Sequence, residues 1–239
     1  MTSGLALQEL ITYYDDSTGE RTGLTAAQVG DWASATAALL STGCGFGPRS
    51  RAAVLLPPHW QTAAVLLGAW SAGVEVSFRG WSTAGLTPAG EPLDATFVES
   101  RRVGSWLDDI PIGRHQFALG LAPGGAPSAS VPEGYRDYPS AIRPYIGSAP
   151  PSTPLDVFAP ATVDGTTFGE YQAVAAGIAG MHGITRGDRV LIDTAATEQP
   201  VTWLLAPLAA GASIVLCAHL DRSRLDDRIA AERVTRVLA

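Results

Sequence analysis

One loop of this chain combines the features that hold a phosphate group in many proteins. It follows a predicted strand at 155–159, precedes a predicted helix, and reads Pro-Ala-Thr-Val-Asp-Gly-Thr-Thr from Pro160 to Thr167. A loop with hydroxyls and glycine before a helix can bind phosphate through backbone N–H groups and the helix dipole. The candidate nucleotide-binding residues are Asp164, Gly165, Thr166 and Thr167. The alternative is a plain connection in which Thr167 only caps the helix, and the single glycine favours it.

The composition removes one kind of chemistry from the whole chain. All 16 basic residues are arginines, so no lysine is present to form a Schiff base, contact a phosphate or activate a serine. The 239 residues, with 46% hydrophobic and 16% charged residues, suit one or two globular domains and not a disordered chain.

Charge limits the expected partners. A net charge of −7 argues against nucleic-acid binding, which needs a basic face. Five arginines lie near the C-terminus, at Arg222, Arg224, Arg228, Arg233 and Arg236. Acidic neighbours, Glu232 among them, nearly balance these arginines, which predicts a solvated helix face.

The cysteines and one uncharged segment bear on location. Cys44 and Cys217 form no metal or disulfide pattern, and no signal peptide is recognised, so we expect a cytoplasmic protein with both cysteines buried. The stretch between Glu198 and Asp221 has no charged residue but is broken by Pro207 and a tight turn. We expect helix, turn and strand there, and no membrane span.

Three further motifs predict no catalytic or metal site. The glycines at 43–47 follow a helix and precede a strand, the reverse of a dinucleotide loop. Ser71 resembles a nucleophile elbow, but its element order is also reversed. Cys217 and His219 have only Asp221 as a third metal ligand nearby.

The elements that must position the loop form two similar units. The first has a helix from the capping box of Thr25 and Gln28 to about residue 41, a strand at 52–56, a helix at 62–72 and a strand at 74–78. The second has a helix from the capping box of Thr167 and Glu170 to about residue 181, a strand at 190–193, a helix at 201–209 and a strand ending at 217. Two αβαβ units at nearly constant spacing indicate an internal duplication, with mainly parallel sheets flanked by helices.

We expect these units to lie in two α/β lobes, residues 1–146 and 155–239, joined by a Pro-rich linker at 147–154; one compact domain is the alternative. Strands at 94–98 and 115–121, with a short helix at 99–107 between them, extend the first lobe. A strand at 155–159, a helix at 223–233 with Leu225 and Ile229 inward, and a strand at 234–238 complete the second.

Residues 25–78 resemble the opening of the adenylate-forming enzymes, which include acyl-CoA synthetases, luciferases and peptide-synthetase adenylation domains. The family's Gly-x-x-x-Gly-Asp-Arg-Val element, its strand ending in proline and its helix closing in Ala-Gly are matched at 45–54, 56–57 and 72–73. A cleaner copy of the first element lies at 183–191, and 206–212 resembles a later helix-to-strand segment. The resemblance implies an acetyl-CoA synthetase-like N-terminal architecture. It also implies an AMP-forming acid–thiol ligase, which joins a carboxylate to AMP and then to a thiol.

The chain departs from the family pattern where the family binds phosphate. The family's loop ends in Pro-Lys-Gly, whereas this chain has Asp-Gly-Thr-Thr at 164–167. The family's Tyr-Gly-x-Thr-Glu element, its ribose-binding aspartate and the catalytic lysine of its C-terminal lid do not occur in the sequence. Arg186 and Arg189 belong to the turn before a strand and not to the loop. These departures predict a degenerate phosphate loop and no adenylation by this chain alone.

Three functions remain open at this point. The first is an adenylate-forming-like protein that binds a nucleotide such as ATP or AMP, an acyl group or a protein partner. The second is one half of an acyl-CoA synthetase or ligase, completed by another chain. The third is a pure interaction module that self-associates or docks on a full-length homologue.

Overall fold

The computed structural model describes residues 8–80, 93–105, 110–151 and 154–238. The strands are β1 (Glu9–Asp15), β2 (Glu20–Thr25), β3 (Arg51–Leu55), β4 (Glu75–Phe78), β5 (Leu93–Glu99), β6 (Gly113–Leu119), β7 (Arg136–Asp137), β8 (Arg189–Asp193), β9 (Ser213–Ala218) and β10 (Arg236–Leu238). The helices are α1 (Ala26–Ala38), α2 (Trp60–Ser71), α3 (Tyr138–Ile142), α4 (Phe168–Met181), α5 (Ala206–Ala210) and α6 (Leu225–Glu232). Two π-helical turns, Leu39–Gly43 and Val201–Leu205, extend α1 and precede α5.

The strands form two mainly parallel sheets flanked by helices, as predicted. One sheet has the order β4-β3-β5-β6-β7, and all of its pairs are parallel. The other has the order β10-β8-β9-β1-β2, in which only the β1–β2 hairpin is antiparallel. Both α1–β3–α2–β4 and α4–β8–α5–β9 occur in the predicted order, although the duplication of the sequence stays a prediction.

The N-terminal hairpin was not among the predicted elements. Its strand β1 pairs with β9, with Ile11 opposite Ile214, so residues from the start of the chain complete the sheet of the second half. The main hydrophobic core contains buried residues from both sheets, among them Ile11 and Phe97, together with Trp203 from the π-helical turn. The sheets therefore do not follow the proposed division at 147–154, which stays a prediction about domains.

Helix α2 is buried on nearly every side because its sequence is apolar around the whole helix. It packs closely on α1 at Gly68, where an added Cβ would lie 2.6 Å from the carbonyl oxygen of Ala33. Only glycine fits this contact without a shift of backbone. The two helices that precede β3 and β4 are thereby held against each other.

Two predicted elements differ from the structure. The strand expected at 155–159 is wrong: this segment is irregular, and the side chains of Leu155, Val157 and Phe158 are exposed because no neighbouring strand pairs with them. The helix expected at 99–107 is only a 3₁₀ turn, Ser100–Arg102, in the described part, and Gly104 follows with a φ of +83°. Residues 106–107 of that expected helix lie outside the described residues.

The C-terminal arginines do not form one solvated face. Arg228 is only 5% exposed; it donates to Asp16 at 3.0 Å through Nη1, and its guanidinium lies 4.3 Å from the centre of the Tyr14 ring. Glu232 is also buried, and it accepts a hydrogen bond from the Tyr14 hydroxyl. The prediction is wrong for Arg228 and Glu232, because their partners come from the N-terminal hairpin, which is remote in sequence. The other four arginines, Arg222, Arg224, Arg233 and Arg236, are exposed as expected.

The remaining expectations concern the cysteines, α6 and the uncharged segment. Cys217 is buried and Cys44 half-buried, and both are free thiols. Leu225 and Ile229 pack inward, as predicted. Among the described residues, no helix is both long and apolar enough to cross a membrane.

Candidate functional site

In the predicted phosphate loop, the hydrogen-bond donors already bind a carboxylate of the loop itself, that of Asp164. Oδ1 of Asp164 accepts hydrogen bonds from the hydroxyl of Thr162, from the backbone N–H of Thr166 at 3.0 Å and from the hydroxyl of Thr166 at 2.9 Å. Gly165 takes a φ of +92°, which permits the tight turn. The hydrogen bonds from the two threonines hold the pKa of Asp164 below its usual range, so this carboxylate is ionised at neutral pH.

Thr167 is engaged as a helix cap. Its hydroxyl accepts from the backbone N–H of Glu170 at 3.2 Å, and Oε2 of Glu170 accepts from the N–H of Thr167 at 2.9 Å. The capping box predicted from the sequence is therefore confirmed. The structure brings the four predicted residues together, but carboxylates of the chain already accept from the N–H groups of Thr166 and Thr167.

The loop is held by the edge of a sheet and not by a preceding strand. The N–H of Val76 in β4 donates to the carbonyl oxygen of Ala161 at 3.0 Å, and the N–H of Val163 donates to the carbonyl oxygen of Val76 at 3.3 Å. The indole Nε1 of Trp70 in α2 also donates to Ala161, at 3.1 Å. These contacts take over the positioning that was expected of residues 155–159.

Arg189 stabilises the fold at the amino end of β8. Its guanidinium donates to the Thr12 hydroxyl at 2.7 Å and to Ser213 Oγ at 3.4 Å, and it pairs with the buried Glu232. Arg189 is the first residue of β8 and not part of the turn before it, so it belongs to the entry of the strand and not to the loop at 160–167. Its charge is neutralised within this buried network.

A second candidate site lies where the carboxyl ends of strands from both sheets meet. Ligands of parallel α/β sheets bind at such ends. We call this cavity of about 510 Å³ the carboxyl-end cleft. Its wall is formed by residues at or after the ends of β1, β3, β5, β6, β8 and β9, including Asp15, Pro57, Glu99, Leu121, Thr194 and His219.

Two polar side chains near this cleft are buried without a full set of partners. Glu99 is 2% exposed; Oε1 pairs with the exposed Arg101, whereas Oε2 has no hydrogen-bond partner. His59 is 1% exposed; its Nδ1 accepts from the N–H of Gln61 at 3.1 Å, and its Nε2 has no partner. Burial lowers the pKa of His59 to about 3, so the imidazole is neutral. Its ring centre lies 4.3 Å from that of Tyr13, which lines the cleft.

A Ser–His–Asp group at the mouth of the cleft does not have the geometry of a catalytic triad. Nδ1 of His219 lies 2.9 Å from Asp15 Oδ1 and 3.3 Å from Ser17 Oγ, and Ser17 donates to the same Asp15 oxygen at 2.7 Å. A triad needs serine and carboxylate on opposite ring nitrogens. The other serine considered, Ser71, donates to the carbonyl oxygen of Leu67 within α2.

Sequence reasoning missed this cleft, although a signal for it was present. Glu99 and Thr194 each lie directly after a predicted strand, and His219 lies two residues after another. Parallel strands bring their carboxyl ends to one edge, so these positions could have been grouped. Asp15 could not, because its strand was not predicted.

The described residues contain no group of three or more His, Cys, Asp or Glu that could hold a metal ion. Cys217 and His219, considered as a ligand pair, lie in and directly after β9. Burial raises the pKa of Cys217 to about 11, so its thiol is protonated at neutral pH.

Comparison with solved structures identifies the fold. An acetoacetyl-CoA synthetase from Streptomyces lividans superposes with a TM-score of 0.70 at 18% identity, over 94% of this chain and 38% of the enzyme. An acyl-CoA synthetase from Brucella canis gives 0.64 at 16% identity, over 98% and 45%. The N-terminal domain of FACL13 from Mycobacterium tuberculosis gives 0.57 at 17% identity, over 94% and 57%. The chain thus spans less than two thirds of the length of each of these structures.

Sequence comparison identifies the family. No protein-family model matches the chain. A TIGR03089 family protein from Mycobacterium tuberculosis (strain ATCC 25618 / H37Rv) is 38% identical over 234 residues, covering 95% of this chain and 90% of that protein. The chain therefore belongs to the TIGR03089 family, and its fold is that of the N-terminal region of the adenylate-forming enzymes.

Proposed function

We propose that this cytoplasmic chain binds a small molecule on an adenylate-forming scaffold and does not form adenylates by itself. The observation that carries the proposal is the Asp164 carboxylate, which accepts hydrogen bonds from Thr162 and Thr166 in the loop. A phosphate group placed there would meet an ionised carboxylate and compete with it for the same donors. At about 4 Å, the repulsion between two such charges costs about 1–4 kcal/mol.

The charge requirement of adenylation supports the same proposal. Attack on the α-phosphate needs cationic groups or Mg²⁺ to stabilise the developing charge. The loop at 160–167 has no basic side chain, and the sequence has no lysine. Arg189, the first residue of β8, already neutralises the buried Glu232.

Pyrophosphate exchange tests this function. The chain alone, supplied with ATP, Mg²⁺ and a panel of carboxylates, should give no exchange above background, and calorimetry with ATP or AMP should give no heat. The variant Asp164→Asn removes the charge and keeps an acceptor for Thr166, so its ATP affinity should rise by about fivefold or more, the equivalent of about 1 kcal/mol. Robust exchange by the unmodified chain would contradict the proposal.

A second candidate function is an interaction module, and the surface of α4 favours it. Val174 is 49% exposed and Met181 is 78% exposed, and no charged residue follows Glu170 in this helix. Apolar patches of this kind often mark protein contacts. The partner would be a second copy, a full-length homologue or a chain that completes a synthetase.

Self-association can be measured directly by light scattering. The interaction module predicts a mass that rises with protein concentration, and the variant Met181→Glu should reduce that rise. Val234→Glu would be a poor control because Val234 packs against the core; Thr185→Glu would also disturb the turn, because Thr185 donates to Asp188. Gln172→Glu, at an exposed position on α4, adds the same charge without removing a large apolar side chain. A monomer at all concentrations would count against self-association.

A further inference from the structure

The carboxyl-end cleft contains an unsatisfied acidic group. Glu99, at the end of β5, is 2% exposed and lines the cavity, and its Oε2 atom has no hydrogen-bond partner. A buried acceptor without a donor costs free energy comparable to a lost hydrogen bond. A ligand that brings a donor to this oxygen would recover that free energy.

The walls of the cleft carry an excess of negative charge. They include one guanidinium, from Arg101, and four carboxylates, from Asp15, Glu20, Glu99 and Glu198. The Arg101 side chain is 74% exposed, so solvent screens much of its charge. Burial and the nearby charge of Asp15 raise the pKa of Glu20, as expected where carboxylates face one another.

The rest of the lining includes apolar surface, and the cavity is large enough for a small ligand. Pro57, Leu121 and Ala195 contribute apolar surface, and the cavity of about 510 Å³ lies within the usual range for small-molecule sites. This combination suits a molecule with an apolar body and one cationic group.

We propose that the carboxyl-end cleft binds a small molecule that carries a protonated amine, with the ammonium group donating to Glu99. The proposal deepens the proposed function, because it rests on the chain binding a ligand and not adenylating one. A carboxylate or phosphate would face the four carboxylates of the cleft and would be repelled. A divalent cation is a poorer fit, because the described residues contain no group of three or more His, Cys, Asp or Glu that could hold one.

Calorimetry with ligands of matched shape tests the charge preference. The probes are phenethylamine, 2-phenylethanol and 3-phenylpropionate at pH 7 and low salt, with hexylamine as a second amine. At least one amine should bind, the alcohol should bind at least tenfold more weakly than phenethylamine, and the carboxylate should not bind. Absence of binding by both amines up to about 10 mM, a Kd equivalent to about 3 kcal/mol, overturns the proposal. Equal binding of the alcohol or carboxylate also overturns it.

A substitution at Glu99 tests the position of the amine. Glu99→Gln keeps the size of the side chain and should weaken amine binding at least tenfold. Glu133→Gln removes the same charge at an exposed position that does not line the cleft, and should change affinity less than twofold. Circular dichroism and thermal unfolding confirm that both variants are folded; should Glu99→Gln fail to fold, Glu20→Gln at the same cleft should weaken binding at least threefold. Unchanged affinity in the folded cleft variant, or an equal loss in Glu133→Gln, overturns the proposal.

Parallel pyrophosphate exchange separates this proposal from the proposed function. Amine binding together with robust exchange would overturn only the claim that the chain does not adenylate. Absence of both would overturn only the amine site. Exchange without amine binding would overturn both.

Discussion

Arg189→Met is expected to lower the free energy of unfolding by about 3 kcal/mol, because it leaves a buried carboxylate without its main cationic partner. Glu232 is 8% exposed and pairs with Arg189, which is itself 9% exposed. Arg21 lies 2.9 Å from the other oxygen of Glu232 but is 44% exposed, so it compensates only partly. The loss should be measured by urea unfolding.

Two control variants test this prediction, one at a nearby exposed arginine and one at both members of the ion pair. Arg186→Met removes an exposed arginine three residues away and should change stability by no more than about 0.5 kcal/mol. Combining Arg189→Met with Glu232→Leu should recover much of the loss, because no buried charge then remains unpaired. A double variant that is less stable than Arg189→Met alone would refute this account of the network.

Acid unfolding gives a second readout of the network. Burial opposes ionisation of Glu232, but hydrogen bonds from Tyr14, Arg189 and Arg21 prevail and lower its pKa below the ordinary value of 4.5. The network therefore stabilises the fold above about pH 4.5, and this contribution is lost as the pH falls through the lowered pKa. The difference in stability between the unmodified chain and Arg189→Met should shrink in that range.

Trp203→Ala is expected to lower the free energy of unfolding by about 3–5 kcal/mol, because it opens a large cavity in the shared core. The Trp203 side chain is 0% exposed, and its Nε1 donates to the carbonyl oxygen of Glu198 at 3.2 Å. Since Glu198 lines the carboxyl-end cleft, the substitution should also weaken amine binding. Urea unfolding and calorimetry provide the two measurements.

A matched variant separates volume from hydrogen bonding. Trp203→Phe keeps much of the ring but loses the donor, so we expect a loss of about 1–2 kcal/mol. Similar losses for alanine and phenylalanine would mean that the hydrogen bond to Glu198, and not the packing of the ring, is the main contribution.

Much of the fold could be predicted because its signals are local. The capping boxes at Thr25 and Thr167 mark the beginnings of α1 and α4, and both are formed. Apolar runs bounded by glycine or proline mark β3, α2, β8 and β9 within one or two residues. Neighbouring residues supply most of these interactions, so one stretch of sequence is enough to recognise them.

The failures share a different cause. Residues 155–159 have the composition of a strand, but no strand pairs with them. Arg228 and Glu232 have the spacing of a solvated helix face, yet the N-terminal hairpin buries them. In each case the outcome depended on a partner remote in sequence, which local pattern cannot identify.

By itself, the sequence determined the helix caps, the parallel αβαβ order and the absence of lysine, because these depend on residue types and short spacings. Only the tertiary structure decided that Asp164 is the anion held by the loop at 160–167, that the hairpin joins the second-half sheet, and that strand ends from both sheets form an acidic cleft. The physical reason is that burial and hydrogen bonding depend on which groups meet in the folded chain. The spacing of residues along the sequence does not show which remote groups will be in contact.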